Sequence, residues 1–264
     1  MKYSEKSRAF ASFSGICSYR CLHCYTFSDD FTNRGKECTE HIISDLKKQD
    51  FNIVYISGYK ENFLNPMEGL SMIETIYETF HCDLLLTTRT VWDTNYIKRL
   101  SLLNQKMRFN GNKLYFCISI PAYKSYKLLE PNPMIPTPKQ RIEFLKQLHN
   151  QDIITLLTIR PLCPNNFVPI AESTDIINEL KGYCSAVISS GIVVNDVILK
   201  RLKNFPKDFS FEEKKLMNCL NNDITVKYVN VEKELEAIKS LCDENNIPFF
   251  RNSLPAINYL FSVL

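Results

Sequence analysis

The chain has 264 residues, 45% of them hydrophobic and 12% aromatic, with 32 basic against 29 acidic side chains. This supports a sizeable core, and a net charge of +3 is too weak to argue by itself for nucleic acid or an anionic membrane. Only 7 glycines are present and none forms a G-x-G, which excludes a dinucleotide fingerprint and a P-loop, whereas 10 cysteines is an unusual number.

Residues 1–10 are polar and charged, without the apolar stretch of a secretory signal, and no window approaches 18 uninterrupted apolar residues. A cytoplasmic protein with reduced thiols and no membrane partner is therefore expected. A β-like segment covers 9–15. Directly after it come Cys17, Cys21 and Cys24, a C-x3-C-x2-C on one short segment. The other seven cysteines, Cys38, Cys82, Cys117, Cys163, Cys184, Cys219 and Cys242, are scattered and read as core thiols.

From there helical and apolar strand segments alternate. A helix over 40–48 precedes a strand over 51–58. Leu70, Ile73, Ile76, Tyr77 and Phe80 form one face of a helix over 70–80. A strand follows at 83–88, a helix at 95–103, a strand at 113–120, and a helix at 138–150 with Pro138 near its start. Then come a strand at 153–160, a helix at 173–181 and a strand at 185–194. Continuous apolar strands between helices predict a parallel sheet covered by helices, with about six units between residues 9 and 200. The fold class is α/β, a partial (β/α)6 TIM-type barrel over 1–200. Residues 201–264 read as a small C-terminal extension packed on it: a mostly polar stretch over 200–222, a strand at 224–229, a helix at 231–245, a short strand at 247–250 and a helix at 256–264.

In such sheets ligands lie at the carboxyl ends of the strands. That rule selects residues 57–61, 87–89, 119–121, 160–164 and 189–191, which include Ser57, Gly58, Tyr59, Lys60, Glu61, Thr88, Arg89, Ser119 and Arg160.

Three thiolates this close can converge on one metal centre. A zinc knuckle needs four ligands; His23 is adjacent to Cys24 and strains to reach the same ion, and His41 is a possible fourth. Redox chemistry by Cys21 and Cys24 leaves Cys17 unexplained. A four-iron cluster with one open iron position suits three cysteines better.

The motif Cys17-x3-Cys21-x2-Cys24 resembles the cluster motif of the radical S-adenosylmethionine (SAM) superfamily. Thr88-Arg89, the Leu129-Glu130-Pro131 segment with Arg141, Arg160-Pro161 with Pro164, and residues 248–252 resemble the spore photoproduct lyase-like branch. The resemblance implies a [4Fe-4S] cluster on the three cysteines and SAM on its open iron. Reduction would yield a 5′-deoxyadenosyl radical that abstracts a hydrogen atom from a substrate. It further implies that His23 lies near the adenine, that Ser57, Gly58 and Tyr59 stand at the SAM amino group, with Glu61 as a candidate acid, and that Arg89 is near its carboxylate. Ser119 would meet the ribose, and Arg160 would complete the set. The branch suggests a nucleic acid or nucleotide substrate. A peptide or small molecule, or a non-catalytic metal-binding module, stands as the alternative. An electron donor such as flavodoxin or ferredoxin is the implied protein partner. Glu61, Glu130 and the basic run 200–203 also read as plain solvated charges, and Tyr123 and Tyr126 as packing aromatics.

Overall fold

A computed structural model describes residues 2–26, 35–56, 60–215 and 225–264. Six strands run in chain order: β1 (Arg8–Ala11), β2 (Ile53–Ile56), β3 (Asp83–Thr88), β4 (Leu114–Ser119), β5 (Ile154–Leu162) and β6 (Ala186–Gly191). Each pairs in parallel with the next. The helices α1 (Thr39–Leu46), α2 (Pro66–Phe80), α3 (Thr94–Phe109), α4 (Pro138–His149) and α5 (Ile170–Glu179) lie between successive strands. Their starts are encoded locally. Asp93 caps α3 by accepting from the amides of Asn95 and Tyr96, and Thr137 and Gln140 form a reciprocal capping box ahead of Pro138 on α4. This is the α/β partial barrel expected from the alternation.

The strands are apolar on both faces because both faces are covered. Val54, Ile56, Leu84, Leu86, Phe116 and Ile118 point to the helices and form the larger core. Ile53, Tyr55, Leu85, Tyr115, Cys117, Leu156 and Ile188 point to the inner face, where Ala256, Ile257 and Leu260 close over them. These last three belong to α8 (Ser253–Val263), which therefore lines the inner face of the sheet. Its middle is tied to residue 3, where Tyr3 and Asn258 exchange two hydrogen bonds of 2.9 Å.

The chain beyond residue 200 contributes to the sheet itself. β10 (Phe249–Phe250) pairs in parallel with β6 as a seventh strand, and α7 (Glu232–Glu244) packs in the outer core. The continuous strand expected over 185–194 is broken. After Gly191 the chain turns away as β7 (Val193–Val194), which pairs antiparallel with β9 (Thr225–Val229), itself paired with β8 (Phe211–Lys215). Gly191 allows the crossing, since a Cβ there would sit 2.8 Å from the Val229 carbonyl oxygen. Between β7 and β8 lies α6 (Asp196–Arg201), capped by Asn195, a helix too short to show a period in the sequence. No helix among the described residues is long and apolar enough to cross a membrane.

Candidate functional site

The three clustered cysteines stand on an excursion that leaves β1 and returns to it. Its base is closed by a bridge between Phe13 and Lys36, in which the Ser14 amide donates to the Lys36 carbonyl and the Lys36 amide to the Ser12 carbonyl, at 2.8 and 2.9 Å. Gly35 is required here: a Cβ would lie 2.0 Å from the Phe13 carbonyl oxygen. Gly35→Ala should therefore open the base of the excursion, with global unfolding cooperativity little changed. Faster amide exchange at Ser14 and Lys36, set against a urea melt, checks this.

Tyr19 and Cys21 of the excursion form a separate buried cluster with Ile135, and Cys17, Cys24 and Leu64 pack against it. The segment is fixed from four sides. Tyr19 shares a 2.8 Å hydrogen bond with Thr90, and the Leu22 amide donates to the Leu129 carbonyl. Asn132 donates to the carbonyls of Ser18 and Tyr19. Arg201, on α6, donates to the Cys24 carbonyl at 2.9 Å. The basic run 200–203 is thus not simply a solvated face. Burial pushes the Cys21 thiol up to about 12.

Beside the cysteines lies a buried network of charges. Glu130 is fully buried and accepts from two arginines, Arg89 Nε on one oxygen and Arg141 Nη2 on the other, each at 2.6 Å. Arg141, also fully buried, donates through Nη1 to the Ser119 carbonyl. Burial alone would raise the Glu130 carboxyl, but Arg141 and Arg89 overcome it and hold the group down at about 2. Glu130 is therefore no solvated loop charge. Arg89 Nη2 reaches His23 Nε2 at 3.3 Å, and since a guanidinium has no acceptor, Nε2 accepts and the proton sits on Nδ1. Burial, aided by Arg89, pushes His23 down to about 3, so its ring is neutral.

Glu61 is likewise buried, not an exposed charge. It accepts from Thr88 Oγ1 at 2.6 Å, the Arg89 amide at 2.9 Å and the Phe63 amide at 3.2 Å, while burial raises its carboxyl above the usual range. It fixes the end of β3 and thereby the backbone of Arg89. Thr88 spends its hydroxyl on this contact and also accepts from the Thr90 amide.

The structure thus brings His23, Thr88, Arg89 and the cysteines together, with Glu61, Glu130 and Arg141 behind them. Ser119 ends β4 and donates to the Arg160 carbonyl at 3.3 Å. Arg160 turns toward the β10–α8 junction, where its Nη2 donates to the Arg251 carbonyl and lies 3.5 Å from Asn252 Oδ1. Ser57, Gly58 and Tyr59 lie outside the described residues, as does Cys219. Cys82, Cys117, Cys163 and Cys242 are buried as expected of core thiols, but Cys38 and Cys184 are only partly covered. Cys38 stands at the N-cap of α1, a helix end and not a core position. Tyr123 and Tyr126 pack against the outer core. Sequence reasoning missed Arg201, Asn132 and Gly35, whose roles are backbone contacts made across long stretches of chain.

Cys21, His23 and Glu130 place one donor atom each within 4.8 Å of one another. They do not form a metal site as they stand. Both oxygens of Glu130 are taken by arginines, and His23 Nε2 faces a guanidinium. His41, the other candidate fourth ligand, is exposed on α1 opposite Glu37. Two clefts lie elsewhere. One of about 590 Å³ lies between α2 and α3, lined by the paired charges Glu74, Glu78, Arg99 and Lys106, and the other, of about 440 Å³, lies at the amino-terminal end of β4.

No family model matches the sequence, and no curated protein matches it. Solved structures do match. A mutant of spore photoproduct lyase, with bound AdoMet and dinucleoside spore photoproduct, is 12% identical; the match covers 91% of this chain and 74% of that one, with a TM-score of 0.64. SuiB of Streptococcus suis, bound to the precursor peptide SuiA, is 11% identical with a TM-score of 0.58; 94% of this chain covers 49% of SuiB. The protein anSMEcpe, with bound AdoMet and the Cp18Cys peptide, is 14% identical over 92% of this chain and 62% of that one, with a TM-score of 0.53. All three are radical SAM enzymes. The seven-stranded parallel sheet, with a cysteine excursion leaving its first strand, gives this chain the fold of the radical SAM enzymes.

Proposed function

We propose that this chain is a radical SAM enzyme in which Cys17, Cys21 and Cys24 hold a [4Fe-4S] cluster and SAM binds beside it. The observation that carries the reading is that the C-x3-C-x2-C segment is pinned at one place: Cys21 is buried with Tyr19 and Ile135, Cys17 and Cys24 pack against the same cluster, and Arg89 lies in the field of Cys21 and Cys24. The donor set fits an iron–sulfur cluster that takes an exogenous ligand. It suits structural zinc poorly, because the donors beside Cys21, both oxygens of Glu130 and His23 Nε2, are taken up by arginines. When bound, the cluster and SAM supply a one-electron cleavage to methionine and a 5′-deoxyadenosyl radical, which takes a hydrogen atom from the substrate.

The chain's own residues supply binding, orientation and exclusion of water. Arg89 is the candidate partner for the SAM carboxylate: burial works against its charge, but the ionised Glu130 on its Nε holds it protonated. Its Nε is fixed on Glu130 and its backbone on Glu61, so the guanidinium is oriented before any ligand arrives. In this reading the neutral His23 ring packs against the adenine and Ser119, whose oxygen retains acceptor capacity, meets a ribose hydroxyl, while Ser57 and Gly58, which lie outside the described residues, are assigned to the amino group by the resemblance alone. A small electron carrier such as flavodoxin or ferredoxin would deliver the electron. Neighbours with the fold carry a dinucleoside or a peptide, so the substrate class has to be read from this chain's own side chains.

Anaerobic reconstitution tests the reading. The wild-type chain should turn brown, bind about four irons and cleave SAM on reduction. Arg89→Ala leaves Glu130 paired with Arg141, so the fold and the iron should persist while SAM affinity falls about ten-fold or more. A colourless protein holding one zinc would overturn the assignment, and unchanged SAM affinity would remove Arg89 from the site.

A further inference from the structure

The inner face of the sheet carries a second cation, separate from the Arg89 network. Arg160, near the carboxyl end of β5, has Cys117, Tyr228, Tyr25 and Tyr55 as its electrostatic neighbours, and Tyr25 directly follows the last clustered cysteine. Its only hydrogen-bond acceptors among the described residues are the Arg251 carbonyl and, at 3.5 Å, the Asn252 side chain, both reached by Nη2. Neither is a carboxylate. Among the described residues Nε is buried without a partner. Burial lowers the Arg160 guanidinium from its ordinary value, as expected for a cation without a counter-charge. The residue as a whole is only half-buried, so what the structure offers is a guanidinium with open donor capacity and no carboxylate beside it.

Two further features face the same place. The first is the start of α8, an eleven-residue helix whose N-cap, Asn252, makes no side-chain cap. Its first two residues, Ser253 and Leu254, carry amides that can meet an anion, whereas the third, Pro255, has no N–H. The second is Tyr55, 7% exposed, whose hydroxyl sits beside Ser253 and Arg8 yet meets no partner at hydrogen-bonding geometry. Arg8 itself lies over the rings of Phe10 and Tyr55.

We propose that Arg160, Tyr55 and the first turn of α8 form an oxyanion site on the inner face that holds a phosphate group of the substrate, which is therefore a phosphate-bearing molecule of the nucleotide type. The donors come from three elements, β5, β2 and α8, and approach from different directions. A tetrahedral phosphate can use them together, whereas a carboxylate offers two oxygens in one plane. A peptide without phosphate would leave Arg160 uncompensated. The proposal rests on the radical SAM reading for the word substrate, and assigns Arg160 to that molecule and not to SAM.

The test is equilibrium binding of inorganic phosphate to the iron-reconstituted full chain, followed by phosphorus NMR, with acetate as the carboxylate probe. Wild type should bind phosphate at least about ten-fold more tightly than acetate. Arg160→Gln should lose about ten-fold or more of the phosphate affinity while SAM affinity stays within about two-fold. Tyr55→Phe, which preserves the packing, should lose about three-fold or more, so the proposal stays testable if Arg160→Gln folds poorly. Acetate binding as well as phosphate, phosphate affinity unchanged in both variants, or a parallel loss of SAM binding in Arg160→Gln would each overturn it. Phosphate binding is read without SAM cleavage, and iron content reads the cluster, so failure of the two assignments is distinguishable.

Discussion

Glu130→Gln should lower the unfolding free energy of the chain by about 3–5 kcal/mol at neutral pH, the usual cost of removing one partner from a buried ionic group. The substitution keeps the shape and removes the charge. Two arginines then face a neutral amide, one of them fully buried. The size of the loss follows from Glu130 using both oxygens, one per arginine, at 2.6 Å. The pH dependence carries a sign. The folded carboxyl is held at about 2, below its value in an unfolded chain near 4.5, so the stabilisation is complete above about pH 4.5 and is lost as pH falls toward 2. Urea unfolding of wild type and Glu130→Gln should therefore show a constant gap from pH 7 to 5 and a narrowing gap below 4.5. A gap that does not close in acid would assign the loss to packing. The same variant should weaken SAM binding, because Arg89 loses the contact that orients it.

The second large effect concerns the cysteines. Cys17→Ala, Cys21→Ala and Cys24→Ala should each abolish bound iron and SAM cleavage together, since a cluster with three protein ligands has none to spare. Cys38→Ala, Cys82→Ala and Cys242→Ala should retain both. Cys82 and Cys242 are packed thiols, and truncating them should cost about 1 kcal/mol of stability without touching the site. Loss of iron in Cys38→Ala would disprove the three-ligand assignment. Iron and sulfide content, with the visible absorption of the reconstituted protein, reads all six.

The parallel sheet was legible because strands covered on both faces are apolar throughout, and six such runs alternate with helical periodicity. The cysteines were legible because their spacing is local. What depended on distant contacts was not. Nothing in the local sequence marks Glu61 or Glu130 as buried, since a single acidic residue looks the same in a loop or between two arginines. Arg201 lies in a basic run, and only the fold turns it onto the Cys24 carbonyl. α6 escaped because six residues are too few to display a period, and β8, with the sequence Phe-Glu-Glu-Lys-Lys, lacks the alternation of a half-buried strand. The break after Gly191 depends on a carbonyl nearly forty residues away.

The reciprocal bonds between Tyr3 and Asn258 span 255 positions of sequence. They make assembly of this barrel a late event. While the chain is being synthesised, Ile53, Leu85, Leu156 and Ile188 have no cover on the inner face until residues 253–263 exist. Contacts of such separation slow folding, and an uncovered apolar sheet face invites association with other chains. The nascent protein should thus be a chaperone client for most of its synthesis, and the helix that lines the finished site is also the latch that ends that exposure.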